Sequence, residues 1–427
     1  MITKLFKYYF EIDRWQKMPV ERVKELQLVR FKQLFDYAKK HSRFYQRIYK
    51  DAGVYDLDIR NYDDIQKLPV IDKYLMKKYN IEEILTRPLT EKLNLHTTSG
   101  STGEPFRIYQ TKYEDYTAHV RVFHLLRSIG YNPFRKTSMI TRYEQNDQFK
   151  VENDISLIKY LQRWMGVLQR EIISIYEDPV EIIKKLEKSK PFILWSTPSV
   201  LDMIANELIS KNKKLDIPCV VLTSEVIQPH QFHKFKHCIS KCTVAHYGLM
   251  EATTLGYDIN NSSRKKIFGN SFLMEFIEER EVDGKKVGTP VVSNFVNFTM
   301  PFIRYNTHDV GTVLPTKEFP NKVIGFIHGR QDDILNFPDG YSFVHHHAHE
   351  MFMDFLECEQ FKFIQKDDDK IILQLKPNRS YPIETIKTKA FERWNRRFAK
   401  YPLKIEFVEK FEINSKTGKF KNIEKIK

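Results

Sequence analysis

Between residues 192 and 245 the chain alternates short apolar runs with amphipathic stretches, and this alternation limits the folds open to it. Phe192-Ile193-Leu194-Trp195, Pro218 through Leu222 and Lys241 through Ala245 are too short for helices and read as strands. Thr197-Pro198-Ser199 opens the first intervening helix, with Thr197 as its cap and Pro198 in its first turn. Pro229 to Ile239 forms the second helix. A β-α-β-α-β order predicts an α/β fold with a parallel sheet covered by helices. Ligands of such sheets gather beyond the carboxyl ends of the strands, where His246-Tyr247-Gly248-Leu249-Met250-Glu251 falls.

The flanks add further layers. Residues 16–50 carry Val20, Val23, Leu26, Val29, Leu34 and Ala38 near helical spacing, which predicts a helical stretch. Asp72 is placed to cap a helix that follows Pro69-Val70-Ile71. Leu93 to His96 and Phe106 to Tyr109 read as strands joined by Thr97-Thr98-Ser99-Gly100-Ser101-Thr102-Gly103-Glu104-Pro105, which holds two glycines and five hydroxyl side chains. Such a loop offers many N–H and O–H donors and little bulk, which suits a polyphosphate; alone it also reads as a flexible linker. From about residue 271 to 328 the pattern is strand-rich, as in Val291-Val292-Ser293 and Phe302-Ile303-Arg304-Tyr305. Gly329-Arg330-Gln331-Asp332-Asp333 marks a boundary between a large N-terminal domain, 1–328, and a small α+β domain, 329–427. In the latter the expected order is a helix near His349 to Glu357, strands near 361–375, a helix from Tyr381 to Arg397 and a strand near 404–408.

Charge narrows the classes of partner. The 69 basic and 55 acidic residues give a formal charge of +14, spread along the chain rather than gathered in one stripe. That balance attracts phosphates, anionic sugars or a membrane surface, and argues against a dedicated nucleic-acid module. Four cysteines in 427 residues form no disulfide framework, so a reduced, cytoplasmic setting is expected. Met1 to Trp15 carries Lys4, Lys7, Glu11 and Asp13 and reads as neither a signal peptide nor a membrane span. Phe6, Tyr8, Tyr9 and Phe10 beside Lys4 and Lys7 leave a peripheral membrane contact open, against the plainer expectation of a helix packed on its own domain.

Five elements follow in order: the Ser/Thr/Gly loop, Tyr247-Gly248-x-x-Glu251, Arg304 through Asp309, Gly329-Arg330-x-Asp332-Asp333, and Ser415-Lys416-Thr417-Gly418-Lys419. In this order they resemble the adenylate-forming superfamily of acyl-CoA synthetases, adenylation domains and luciferases. The resemblance is closest to the phenylacetate–coenzyme A ligase branch with its relatives in capsular polysaccharide clusters. Trp195 to Ser199 and Leu222-Thr223-Ser224-Glu225 also resemble that branch.

The resemblance implies an enzyme using ATP and Mg²⁺, with a small carboxylic acid as substrate. The acyl acceptor it implies is coenzyme A, or an amine or hydroxyl of a glycan precursor. It implies that Ser99, Gly100, Ser101, Thr102 and Gly103 hold the β- and γ-phosphates, with Ser224, Glu225 and Gly248 lining the nucleotide. Tyr247 would lay its ring on adenine, Asp309 would accept from both ribose hydroxyls, and Arg330 would add charge near ribose and phosphate. Glu251 would bind Mg²⁺, Lys419 would bridge the attacking carboxylate and the α-phosphate, and Asp332 would be the hinge of a mobile C-terminal domain. Lys421 rivals Lys419, since both could lie on one side of an extended segment; the basic tail also reads as a solvated charge run.

Two departures stand out. Phe106 follows Pro105 where many members carry lysine, and His308 stands where many carry glycine, which would alter the ribose pocket. The cluster His230, His233, His237, Cys238, Cys242 and His246 suggests zinc less well than it suggests an amphipathic helix. The run His345-His346-His347-Ala348-His349 reads as mixed packing and exposure, with one imidazole as a candidate acceptor base. A non-catalytic glycan- or membrane-associated scaffold on an inactive ligase fold is the alternative class.

Overall fold

The structure, a computed structural model, describes residues 1–97, 106–141, 169–227, 229–260, 264–282, 284–315, 322–330, 335–339, 342–343, 345–352, 355, 357–367, 370–411 and 421–426. The chain divides into two compact units. One comprises Met1–Asn132, His246–Asp258 and Ser262–Phe326; the other comprises Pro133–Ala245, Ile259–Asn261 and Ile327–Lys427.

The first unit begins with α1 (Ile2–Gln16), α2 (Val20–His41) and α3 (Arg43–Asp51). The helical stretch expected over 16–50 is therefore broken twice. Pro19 sits at φ −58° and ψ 144° as the residue before α2, a geometry in which its missing N–H costs nothing. Ser42 is extended, and its Oγ accepts from Tyr45 N at 3.5 Å while donating to Ile84 O at 2.9 Å. The kink turns α3 so that the Tyr45 hydroxyl donates to Pro301 O at 2.8 Å. Phe31, Leu34 and Phe35 of α2 and Phe44, Tyr45 and Tyr49 of α3 share one core with Phe302, Ile303 and Tyr305. Tyr8, Ile12 and Trp15 bury one face of α1, as expected of a helix on its own domain, while Ile2, Phe6 and Phe10 stay exposed.

Short helices α4 (Tyr62–Gln66), α5 (Lys73–Met76) and α6 (Ile81–Ile84) follow, and Asp72 caps α5 as expected, accepting from Leu75 N at 2.7 Å. Strands β1 (Asn94–Thr97) and β2 (Arg107–Gln110) pair antiparallel, with Thr97 opposite Arg107, as expected of the two segments that flank the Ser/Thr/Gly stretch. Helix α7 (Lys112–Ser128) is capped by Thr111 and Glu114. Glu114 reaches further: its carboxylate also accepts from Phe298 N at 2.8 Å, Thr299 N at 2.9 Å and the Thr299 hydroxyl at 2.6 Å.

The second unit carries the predicted parallel sheet. Its elements are β3 (Thr137–Thr141), β4 (Arg170–Ser174), α8 (Pro179–Ser189), β5 (Ile193–Ser196), α9 (Pro198–Ser210), β6 (Cys219–Leu222), α10 (Pro229–Cys238) and the start of β7 (Cys242–Leu249). The strand order is β4-β3-β5-β6-β7, each neighbouring pair parallel. All four residues of β6 are buried, as a strand covered on both faces requires.

Back in the first unit, β7 runs on to Leu249 and the chain returns as β8 (Thr253–Ile259), followed by β9 (Lys266–Ile267). A second sheet holds β10 (Phe272–Val282), β11 (Lys285–Asn294), β13 (Asp309–Pro315) and β14 (Lys322–Arg330) in that order, with β12 (Tyr305–Asn306) on β11. The strand expected over Phe302 to Tyr305 shrinks to its end. Arg304 sits at φ +50°, and its buried guanidinium binds Glu275 at 3.2 Å and Gln66 O at 2.7 Å, with Leu68 O as a third partner. Burial pushes the Glu275 carboxyl up, and the Arg304 charge opposes that shift.

The C-terminal segment is α+β with an apolar core of its own. It contains β15 (Leu335–Asn336), β16 (Ser342–Phe343), α11 (His345–Phe352), β17 (Cys358–Asp367), β18 (Lys370–Pro377), α12 (Ile383–Phe398), β19 (Leu403–Phe407) and β20 (Ile423–Lys425). The strand order is β19-β18-β17-β20. Phe343, Phe363, Leu373, Trp394, Phe398 and Ile423 form the core. Strand β20, parallel to β17, lies where the sequence reads as a solvated basic tail: alternate apolar Ile423 is drawn into the core while Lys425 is only half-buried. No helix among the described residues is long and apolar enough to cross a membrane, and all four cysteines are free.

Candidate active site

Two sequence motifs far apart in the chain meet in the first unit. Tyr247, on β7, is buried and donates from its hydroxyl to Asp309 Oδ2 at 2.8 Å. Four residues on, Glu251 is buried in the turn after β7, and its Oε1 accepts from the Tyr305 hydroxyl at 2.5 Å. Asn294 Nδ2 donates to the Glu251 carbonyl at 3.3 Å. Tyr247-Gly248-x-x-Glu251 and Arg304 through Asp309 are thus cross-linked by two side-chain bonds that leave both carboxylates side by side with a phenol.

The turn explains the glycine. A Cβ on Gly248 would lie 2.1 Å from Thr253 O and 2.9 Å from His246 Cε1, so only glycine admits the returning strand. Thr253 makes this close approach at φ +58°, a left-handed conformation that a β-branched residue rarely adopts. His246 lies beneath the turn with Nε2 3.0 Å from Thr254 Oγ1. Desolvation and the nearby Lys265 charge push its imidazole down to about 4.

The Asp309 side is built from the chain's other departure. His308 has φ +56°, which accounts for the glycine common in relatives at this place. Its Nε2 lies 2.9 Å from Asp72 Oδ2, its ring meets Tyr74 edge-on at 5.4 Å, and its N–H donates to Asn306 Oδ1 at 2.8 Å. The other Asp72 oxygen caps α5, so one carboxylate fastens both the helix and the residue before Asp309. Bonds from Ile71 N to Arg304 O at 3.1 Å and from Asn306 N to Ile71 O at 2.8 Å tie the same two segments together. His308 is thus directed to Asp72 and Tyr74.

The remaining expected residues belong to the second unit or lie outside the described residues. In the second unit, beyond β6, Glu225 grips the first turn of α9 through Ser199 N and Ser199 Oγ, both at 2.9 Å. Ser224 is exposed at φ +71°. Arg330 ends β14, exposed, also in that unit. Ser99, Gly100, Ser101, Thr102, Gly103, Asp332 and Lys419 lie outside the described residues.

Among the described residues no group of three or more His, Cys, Asp or Glu side chains is arranged to hold a metal ion. Cys242 instead lies 3.1 Å from Cys219 Sγ on the neighbouring strand. Buried Cys238 bonds Lys234 O at 3.2 Å, and burial pushes its thiol up to about 11. His347 packs between Phe343 and Phe398, each 5.4 Å away, in the C-terminal core. That placement gives it a packing role rather than that of an acceptor base.

Tyr305 and Asn294 bond Glu251, and Arg121 bonds the residues after it; the sequence alone gives none of the three a role. Tyr305 lay within a recognised motif. Arg121 had a signal of its own: it shares the inward face of α7 with Thr117, His124 and Leu125 at helical spacing, where a charge demands partners.

Known proteins resemble this chain along most of its length. The chain is 24% identical to protein CapK of Staphylococcus aureus over 402 residues, covering 86% of this chain and 81% of that one. It is 23% identical to a phenylacetate–coenzyme A ligase of Thermus thermophilus over 334 residues, covering 75% and 73%. The solved structure of 2-hydroxyisobutyryl-CoA ligase in the postadenylation state, in complex with R3-HIB-AMP, superposes with a TM-score of 0.74 at 16% identity, covering 96% of this chain and 91% of that one. No family model matches. The fold is therefore the one seen in solved acyl-CoA ligases. Along most of its length the chain is similar both to CapK and to phenylacetate–coenzyme A ligases.

Proposed function

We propose that the chain is a cytoplasmic, ATP-dependent, AMP-forming ligase that primes a small carboxylic acid as its acyl-adenylate and passes the acyl group to coenzyme A. The observation that carries this reading is the double link of Tyr247 to Asp309 and Glu251 to Tyr305, which joins two nucleotide-handling motifs at one place. A carboxylate oxygen attacks the α-phosphorus of ATP and pyrophosphate leaves. The thiolate of coenzyme A then attacks the carbonyl carbon and AMP leaves. Neither step needs a covalent enzyme intermediate, so the protein acts by holding reactants in line and by stabilising charge.

In this reading Asp309 accepts from the ribose hydroxyls, Tyr247 presents its ring to adenine, and the loop Ser99 to Gly103 donates to the β- and γ-phosphates. Arg330 adds positive charge, Ser224 and Glu225 line the nucleotide, and Lys419, brought in by a C-terminal domain hinged at Asp332, bridges the carboxylate and the α-phosphate. The domain division at residues 328 and 329 belongs to the same proposal and is supported by the separate apolar core beyond Leu335.

Glu251 suits Mg²⁺ by its chemistry. Tyr305 occupies Oε1, while among the described residues no donor engages Oε2, a hard oxygen of the kind that cation prefers. A bound Mg²⁺ would offset charge on the phosphates and on departing pyrophosphate.

An amine or hydroxyl acceptor on a glycan precursor is a second reading, favoured by the +14 charge. The test is acid-dependent exchange of labelled pyrophosphate into ATP across a panel of carboxylic acids, followed by mass spectrometry with coenzyme A and with amino or hydroxyl sugars. Exchange with at least one acid, abolished in Asp309→Ala, is expected. No exchange with any acid would leave the inactive scaffold as the better account.

A further inference from the structure

Glu251 is held from the front by Tyr305; a second device holds it from behind. Arg121, on α7, is 2% exposed, and all five of its N–H donors have acceptors. Nε donates to Thr254 O at 3.1 Å. One terminal nitrogen donates to Ala252 O at 3.1 Å and Thr253 Oγ1 at 2.8 Å. The other donates to the Tyr8 hydroxyl at 2.7 Å and Thr117 Oγ1 at 3.4 Å. Its guanidinium carbon lies 4.9 Å from the centre of the Phe272 ring. Among the described residues no carboxylate is its partner: the charge is compensated by three consecutive residues, Ala252 to Thr254, two further hydroxyls and a ring face.

Those three residues, Ala252 to Thr254, directly follow Glu251 and contain the left-handed Thr253. A β-branched residue stays in that conformation only where its surroundings overdetermine it. The fork of Arg121, locked at its other end by Tyr8 of α1, supplies that constraint. Tyr8 is itself fixed by a hydroxyl bond to Ser271 at 2.5 Å.

We propose that Arg121, completed by Tyr8, is a positioning residue: it fixes the strained turn behind Glu251 and so sets the direction of the carboxylate that takes the divalent cation. The inference rests on the proposed role of Glu251, and its test separates the two. In the full chain, Arg121→Lys keeps the charge but cannot span the turn, and Tyr8→Phe keeps Arg121 and removes one acceptor.

The first readout is amide hydrogen exchange in peptides covering 250–256, which needs no activity. The second is the half-saturating Mg²⁺ concentration for pyrophosphate exchange at saturating ATP and acid. Arg121→Lys should speed exchange at 252–254 selectively and raise the Mg²⁺ requirement about tenfold, the usual scale for a residue behind a metal ligand. Tyr8→Phe should move both in the same direction by about fivefold, the loss of one hydrogen bond. The half-saturating acid concentration should stay put in both.

Unchanged local exchange in the variants would overturn the clamp. Faster local exchange with an unchanged Mg²⁺ requirement would overturn its role for Glu251. If Arg121→Lys fails to fold, Tyr8→Phe decides between the same outcomes. A wild-type protein inactive with every acid would sink the ligase reading while the exchange data still decided the clamp.

Discussion

His246 offers a test of the site's interior that requires no knowledge of the substrate. Its imidazole is half-buried beside the turn after β7, and desolvation together with the Lys265 charge brings it from 6.5 down to about 4. In the unfolded segment the ring protonates as pH falls through 6.5; in the folded one it refuses the proton until about 4. The contribution to stability is therefore complete above 6.5, declines as pH falls below it, and is fully lost below about 4. Two-state linkage between these values gives a loss of about 1.3 kcal/mol between about pH 7.5 and pH 5.5, or about ninefold in the opening equilibrium. His246→Gln keeps a polar group near Thr254 and removes the titration. Native-state hydrogen exchange in β7 and β8, converted to opening free energies at the two pH values, reports on this segment without assuming that the two units unfold together. The advantage of the wild type over the variant should shrink by that amount on acidification. Parallel pH dependences in the two proteins would refute a neutral, proton-refusing His246.

Three further substitutions probe the same architecture. Gly248→Ala places a methyl group 2.1 Å from Thr253 O, so the turn must move; an overpacking cost of about 1–3 kcal/mol and a loss of most exchange activity are expected, measured by thermal melts and pyrophosphate exchange. At His308, the Gly variant should be more stable than the Ala variant by about 1 kcal/mol, the reverse of the usual order, because both lose Asp72 but only Ala keeps the left-handed strain; urea titration decides it. Glu114→Gln leaves one oxygen where the Thr111, Phe298 and Thr299 donors need two, and should lower the unfolding free energy by about 3 kcal/mol, with no change in melting temperature counting against the bond count.

Much of this was legible from the chain. The parallel sheet followed from short apolar runs alternating with capped helices, because burial on both faces leaves a continuous hydrophobic signature at β6. The motifs that hold Tyr247, Glu251 and Asp309 stand out because their order is read along the chain. Their mutual bonds do not, since a separation of 62 residues between Tyr247 and Asp309 leaves no periodic trace. Helix breaks at Pro19 and Ser42 were lost under an apolar spacing that persists through both. Arg304 looked like a strand residue because its neighbours are apolar, yet its left-handed backbone and buried ion pair with Glu275 are tertiary choices. Strand β20 was hidden by lysines that flank one buried isoleucine, too short a pattern to outweigh the charge.

The order β19-β18-β17-β20 has a mechanical consequence. The stretch that carries Lys419 leaves the sheet at one margin, after Phe407, and rejoins it at the opposite margin, at Ile423. Three strand spacings, about 14 Å, separate those anchor points. Whatever route residues 412–420 take, both ends are moored to one framework. Strands β19 and β20 are thus opposite margins of one four-stranded framework, so a displacement of that framework carries both flanks of the stretch together.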